Sequence, residues 1–198
     1  MNYIAHIHIA HHTQTSLLGN FLGDFVKGQA LNDLPAELAT GVRLHRKVDL
    51  FTDNHELVVD LRRTFPKELR RVAGIIIDIT FDHFLLKQWD ELTAKPTDEV
   101  LDSFYQQLAD FNGIDSAHFS RLSESLLKDR WLSDYHQQQT CLRVLQSIER
   151  RLKHKIIFAH DAYAFFQLNK ASFAATFTAF YPELLIHALH CSQKLSST

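Results

Sequence analysis

The segment of the chain most suggestive of chemistry is Asp78-Ile79-Thr80-Phe81-Asp82-His83. On a helix, Asp78 and Asp82 share one face and lie about 6 Å apart along the axis. The residues around them are almost wholly apolar, so that face would be buried. Two buried carboxylates repel each other and lose hydration, which is costly unless a proton, an arginine or a metal compensates. The segment therefore predicts either a metal site or a carboxylate pair held by arginines or helix caps.

Three further segments carry groups that can bind a cation. His45 and Asp49 are four residues apart, which lets both reach one ion from a helix, although a surface pair is the simpler interpretation. Asp24 stands beside an apolar stripe, and His6 stands among isoleucines, where a hydrogen-bonded core histidine is more common than a ligand. Taken together, mixed carboxylate and imidazole groups suit Mn²⁺, Fe²⁺ or Zn²⁺, and also Mg²⁺ where water and substrate complete its shell.

Composition indicates which elements must position these groups. A chain of 198 residues fits one domain, predicted here over residues 1–198. Six glycines and four prolines are too few for the many turns of a sandwich or barrel, so the fold is predicted to be all-α. Periodicity and capping residues predict helices over 1–12, 13–28, 35–50, 56–71 with a break at Pro66, 72–89 and from 97, with a last helix from about 169 that Pro182 kinks or ends.

Charge and cysteine usage exclude several classes of protein. Twenty-one basic and 23 acidic residues give a net charge of −2, which argues against bulk nucleic-acid binding. The two cysteines lie far apart without metal-ligand spacing, which favours a reduced, cytoplasmic setting. Neither a signal peptide nor an apolar run of membrane-spanning length is evident, so no membrane partner is expected.

Two basic clusters stand out against this balance. The first contains five cations within ten residues, namely Arg62, Arg63, Lys67, Arg70 and Arg71. The second covers residues 150–155. Each could steer an acidic partner or a phosphate-bearing ligand, and each could equally be a solvated helix face.

These segments, with their order and spacing, resemble those of the acyl carrier protein phosphodiesterases along nearly the whole chain. The stretch from about 95 to 165 is less distinctive. The matching pieces are Asn2-Tyr3-Ile4-Ala5-His6, residues 19–28 (GNFLGDFVKG), residues 41–49 (GVRLHRKVD), Thr52-Asp53-Asn54, Asp78, Asp82-His83-Phe84-Leu85 and Phe180-Tyr181-Pro182.

The resemblance implies a fold and a reaction. The expected fold is an all-helical domain similar to the HD-type metal-dependent phosphohydrolases, although the adjacent pair here runs Asp82-His83, in reversed order. The expected reaction is hydrolysis of the phosphodiester between 4′-phosphopantetheine and a serine of acyl carrier protein, giving the apo-carrier and 4′-phosphopantetheine. A divalent ion is expected, Mn²⁺ first, with Mg²⁺ or Fe²⁺ as alternatives. Because acyl carrier protein is small and acidic, either basic cluster could dock it, and residues 62–71 are the first choice.

Roles for individual residues follow from the same resemblance. The expected metal ligands are Asp24, His45, Asp82 and His83. Asp78 would be a further ligand or the base that orients the attacking water. Arg46 would hold the phosphate, His6 would protonate the leaving serine oxygen or serve as a ligand, and Asp49 would orient His45 or Arg46.

Two alternatives remain open at this point. The first keeps the enzyme class and replaces the substrate with a small nucleotide or another phosphoester, which would not need a basic surface outside its pocket. The second is a non-catalytic helical module that binds acyl carrier protein or another acidic partner, its carboxylates being held by arginines.

Overall fold

A computed structural model describes residues 1–153 and 155–196 of the chain. Within these ranges the regular elements are all helical, which confirms the all-α prediction. His154, in the second basic cluster, and residues 197–198 lie outside the described residues. The α-helices are α1 (Tyr3–His12), α2 (Leu17–Phe21), α3 (Ala36–Asn54), α4 (Glu56–Arg63), α5 (Ala73–Lys87), α6 (Trp89–Leu92), α7 (Thr97–Ala109), α8 (Ala117–Asp129), α9 (Gln138–Arg151), α10 (Ala159–Leu168) and α11 (Lys170–Ser196). Short 3-10 helices cover Leu22–Asp24, Gly28–Leu31, Arg70–Val72 and Trp131–His136.

Helices α1 and α5 form the centre of the molecule because they are apolar nearly all round. Ile4 through Ala10 are all buried, and so are Ile79 through Leu85. The alternation of His6 to Ile9 and the isoleucine run of 75–77 would each be compatible with a strand. Both segments are nevertheless helical, as predicted. One hydrophobic core runs from Met1 to Ala188 and packs the later helices around this pair.

The first turn of α1 is capped by a side chain from α5. Both carboxylate oxygens of Asp82 accept backbone N–H groups, from Ile4 at 3.0 Å and from Ala5 at 3.1 Å. The first amides of a helix have no partner inside the helix, so an acceptor must come from elsewhere. Asn2, the residue before α1, makes no side-chain cap bond and donates to the hydroxyl of Tyr135 at 2.8 Å.

The predicted helix over 13–28 is wrong. After α1 the chain turns at Gln14, which adopts a positive φ of 53°, and Ser16 starts α2 by accepting the N–H of Gly19. Helix α2 ends at Phe21 and continues as a 3-10 helix to Asp24. Gly28, also at positive φ, begins another 3-10 turn instead of ending a helix. The side-chain cap at Ser16 outweighs the apolar stripe that suggested one long helix.

Close packing of α2 against α3 depends on two glycines. A Cβ on Gly41 would lie 2.6 Å from the carbonyl carbon of Gly19, so neither position has room for a side chain. Helix α3 then runs through Thr52 and Asp53 to Asn54, four residues beyond the predicted end, and His55 precedes α4. The predicted end at residue 50 is therefore wrong.

Two further helix boundaries were predicted from prolines, at Pro66 and at Pro182. The break around Pro66 is confirmed, since α4 ends at Arg63 and only a 3-10 helix follows at Arg70–Val72. Helix α11, in contrast, continues through Pro182 to Ser196. None of the helices in the described ranges combines the length and apolar character needed to cross a membrane.

Candidate metal site and adjoining groove

Helices α1 and α3 bring two imidazoles and one carboxylate into a compact cluster. His6, His45 and Asp49 each offer one ligand atom, and these atoms lie within 4.8 Å of one another. Nε2 of His6 is 3.1 Å from Oδ1 of Asp49, and Nε2 of His45 is 3.1 Å from Oδ2. The two imidazole rings stack with centroids 3.8 Å apart. Three donors on rigid helices thus converge on one small volume.

The orientation of His45 is fixed by α2 and by the 3-10 helix that follows it. Nδ1 of His45 lies 2.9 Å from the backbone oxygen of Asn20. A carbonyl only accepts, so Nδ1 carries the proton and Nε2 presents its lone pair to the cluster. Gly23 faces the ring directly, since a Cβ there would lie 2.1 Å from Cγ of His45. The Asn20 carbonyl therefore fixes the orientation of this imidazole, and the absence of a side chain at Gly23 leaves space for the ring.

Burial and neighbouring charges set the protonation states of His6 and Asp49. Burial, together with the neighbouring His45, lowers the pKa of His6 to about 4 against the opposing effect of Asp49. Burial alone would raise the pKa of Asp49, but its contacts with His45 and His6 and the charge of the N-terminal amine hold it well below its usual range. At neutral pH the cluster therefore contains a neutral imidazole at His6 and an ionised carboxylate at Asp49.

The donors fit a divalent cation. Both ring nitrogens of His6 are buried and neither makes a hydrogen bond; the 3.1 Å approach to Asp49 lacks the alignment of one. A buried polar atom without a partner costs free energy, and a cation at Nε2 would remove that cost. Two imidazoles and a carboxylate are also the mixed nitrogen and oxygen ligands that suit Mn²⁺ and Fe²⁺.

Asp24 and Asp78 flank the cluster. Oδ1 of Asp24 is 3.8 Å from Nε2 of His45. Oδ1 of Asp78 lies 3.1 Å from the amine of Met1, and that amine also lies 3.2 Å from Oδ1 of Asp49. Burial would lower the pKa of the amine, but Asp78 and Asp49 outweigh it and raise the value to about 11. The pKa of Asp78 is raised, because burial outweighs the effect of the amine.

Asp82 and His83, two of the predicted ligands, lie outside this cluster. Asp82 is fully buried and uses both oxygens to cap α1, and burial raises its pKa to about 7 against the two amide bonds. Nδ1 of His83 lies 2.8 Å from the backbone oxygen of Tyr135, and its ring packs against Phe84. The prediction of a buried carboxylate is confirmed for Asp82, whose compensating partner is a helix N-terminus, whereas Asp78 is partly exposed and lines the groove described below.

The predicted phosphate-binding and docking residues have partners other than the cluster. Arg46 is exposed and donates from Nη2 to the backbone oxygen of Val26 at 2.9 Å. Arg62 pairs with Asp53, and Arg63 pairs with Asp60 at 2.7 Å. The groove described next has none of these residues in its lining, and none of Lys67, Arg70 and Arg71.

A groove of about 1150 Å³ begins at the flank of the cluster and runs between α8 and α9. At the site end its lining contains Met1, Tyr3, Asp24 and Asp78. The opposite wall has an excess of basic side chains: His118, Arg121, Arg143, Arg150, Arg151 and Lys153, against the two carboxylates of Asp129 and Asp134. Sequence reasoning identified the last three as a cluster but missed the others, because α8 and α9 bring them together without any local motif.

The structure thus defines a class of protein: a helical fold in which two histidines and one carboxylate, a set that could hold a divalent cation, lie beside a basic groove. The family model described as "Acyl carrier protein phosphodiesterase" matches residues 1–184, and the chain belongs to that family. Curated proteins of that name include one from Klebsiella pneumoniae (strain 342), 33% identical over 186 residues covering 93% of this chain and 96% of that protein. Another, from Yersinia pestis, is 35% identical over 191 residues, 96% of this chain and 98% of its own.

No solved structure matches the fold. The likeness to HD-type phosphohydrolases accordingly stays a prediction.

Proposed function

We propose that this protein hydrolyses the phosphodiester between 4′-phosphopantetheine and a serine of acyl carrier protein, releasing the apo-carrier and 4′-phosphopantetheine. The observation that carries the proposal is the His6–His45–Asp49 cluster at the end of a basic groove, in a chain whose relatives are named for this activity.

His6, His45 and Asp49 would hold a divalent ion, with Asp24 close enough to complete the set. Mn²⁺ is the first expectation, and Mg²⁺ or Fe²⁺ are alternatives. When bound, such an ion supplies Lewis-acid polarisation of a phosphoryl oxygen and lowers the pKa of a coordinated water. Asp82 and His83 are left out of the ligand set because neither belongs to the cluster: both oxygens of Asp82 accept amides of α1, and Nδ1 of His83 faces the Tyr135 carbonyl.

The protonation states of His6 and Asp78 indicate which of their predicted roles each residue would take. With a pKa of about 4, His6 holds no proton on its lone-pair nitrogen at neutral pH, which favours a ligand over a general acid. Asp78 has a raised pKa and lines the groove, which suits a carboxylate that takes a proton from water. The amine of Met1, held between Asp78 and Asp49, stabilises negative charge at that end of the groove.

The size of the groove favours a substrate carried on a protein over a small nucleotide. Pockets for drug-sized molecules measure about 300–1,000 Å³. The groove here reaches about 1150 Å³, and a basic wall lines it well beyond the site end. The two free cysteines, Cys141 and Cys191, agree with action in the reducing cytoplasm.

The test is mass measurement of the carrier. Purified protein is incubated with holo-acyl carrier protein and Mn²⁺, with and without a chelator, and the carrier is weighed intact. We expect metal-dependent loss of the phosphopantetheine mass, abolished in His6→Ala. The matched control is His12→Ala, an exposed histidine on the same helix, which should keep full activity. An unchanged carrier mass from folded, metal-loaded protein contradicts the proposal and favours a small phosphoester; absence of metal binding favours the non-catalytic module.

A further inference from the structure

The basic wall of the groove has more positive charge than its own neighbours neutralise. Arg121 comes from α8, Arg150 and Arg151 from the last turn of α9, and Lys153 from the turn that follows. Within the described ranges, no ion pair joins any of these four side chains to a carboxylate. The fifth cation, Arg143, is partly neutralised by Asp134 at 3.9 Å. Because the whole chain carries a net charge of −2, this wall is a local excess of positive charge.

The other basic cluster differs in its pairing. Arg62 pairs with Asp53, Arg63 pairs with Asp60, and Nε of Arg70 donates to the backbone oxygen of Phe65. Two of its five cations are thus neutralised within the chain, and a third is occupied by a carbonyl. Cations that already pair with carboxylates of the same chain attract an acidic partner less strongly.

The wall also reaches the site end of the groove through Arg151. Nη1 of Arg151 lies 3.3 Å from Nε2 of His118. Burial, with the charge of Asp24, raises the pKa of Tyr3 to about 12, and Arg151 opposes that rise. Tyr3 is thus adjacent both to Asp24, beside the metal cluster, and to Arg151 in the wall. A partner seated on the wall would therefore hold its phosphodiester near the cluster.

We propose that Arg121, Arg150, Arg151 and Lys153 form the surface on which the acidic protein substrate docks, in place of residues 62–71. The occupant is an acidic face of the carrier, oriented so that its phosphodiester enters the site end past Arg151. The inference rests on the proposed function for the identity of the partner. Charge complementarity of this kind mainly accelerates association and fixes orientation.

The test is a pair of double charge reversals that change net charge equally. Arg121→Glu with Arg150→Glu alters the wall, and Arg63→Glu with Lys67→Glu alters the other cluster. KM and kcat are measured on holo-acyl carrier protein at low and high salt, and the thermal shift produced by Mn²⁺ reports an intact site. We expect KM to rise about tenfold or more at low salt in the wall variant, with kcat within about twofold, an unchanged Mn²⁺ shift and a weaker dependence on salt. The control variant should match the parent protein.

The proposal is overturned if both variants behave alike, or if KM changes only in the variant of residues 63 and 67. It is also overturned if the carrier does not bind the parent protein at all. If the parent protein binds the carrier without cleaving it, the proposed reaction fails, and the affinities of the same two variants still decide which surface docks the partner.

Discussion

Asp82 offers a sharp test of the structure because its predicted and observed roles differ. As a metal ligand, its loss would weaken metal binding. As the cap of α1, it is a fully buried carboxylate that accepts two amides, and its loss would change stability. The substitution Asp82→Asn keeps the shape of the side chain and removes the charge, so the pH dependence of its effect separates the two roles.

The magnitude follows from the pKa of Asp82, which is raised from 3.8 to about 7 in the folded protein by burial. Between these values the folded state binds more protons at this site than the unfolded state does. The contribution of Asp82 to stability is therefore fully present below pH 3.8 and declines as the pH rises through about 7. Each pKa unit is worth about 1.4 kcal/mol, so from pH 5 to pH 8 the parent protein loses about 3 kcal/mol relative to Asp82→Asn.

The assay is urea unfolding of both proteins at pH 5, 6, 7 and 8, with the difference in unfolding free energy plotted against pH. Other titrating groups largely cancel in this difference. A flat difference would refute the reasoning, since it would mean that Asp82 titrates normally. Asp82→Ala, which leaves both amides without an acceptor, should be less stable than Asp82→Asn at every pH, because each buried unsatisfied group costs about 1–3 kcal/mol.

Three shorter predictions concern the neighbourhood of the cluster. Gly23→Ala should displace the His45 ring and abolish both activity and the Mn²⁺ thermal shift, whereas Gly28→Ala, with open space around it but a positive φ, should cost about 1 kcal/mol of stability and keep the shift. Mn²⁺ at 100 times its Kd should stabilise the protein by about 2.7 kcal/mol, and calorimetry should find no such gain in His45→Ala. Tyr181→Phe removes the 2.9 Å hydrogen bond to buried His8 and should cost about 1–3 kcal/mol in urea unfolding without changing Mn²⁺ affinity.

The sequence was most informative about features that depend on a single helix. The continuous apolar character of α1 and α5 predicted that both segments are buried, and both helices lie in the core. The four-residue spacing of His45 and Asp49 likewise places both on one face of α3, and they share the cluster. In each case the helical repeat alone determines which side chains are neighbours.

The sequence could not show which side chains from different helices lie next to one another. Helix periodicity says that Asp82 is buried, but not whether its partner is a metal, an arginine or the first amides of α1. The sequence around His6 is typical of a core histidine and does not show that its Nε2 lies 3.1 Å from Oδ1 of Asp49 on α3. The basic wall has the same origin, since α8 and α9 contribute its charges from distant parts of the chain.

The geometry of the cluster depends on side chains that do no chemistry. His45 can point Nε2 at Asp49 only because a carbonyl holds Nδ1 and a glycine leaves space for the ring. His6 in turn is placed by α1, whose first amides are held by Asp82 of α5. Asp82 therefore acts on the site through the position of a helix. Asp82→Asn keeps one of the two acceptors and should retain the cluster better than Asp82→Ala, which removes both acceptors and should loosen the cluster even though no donor atom has been lost.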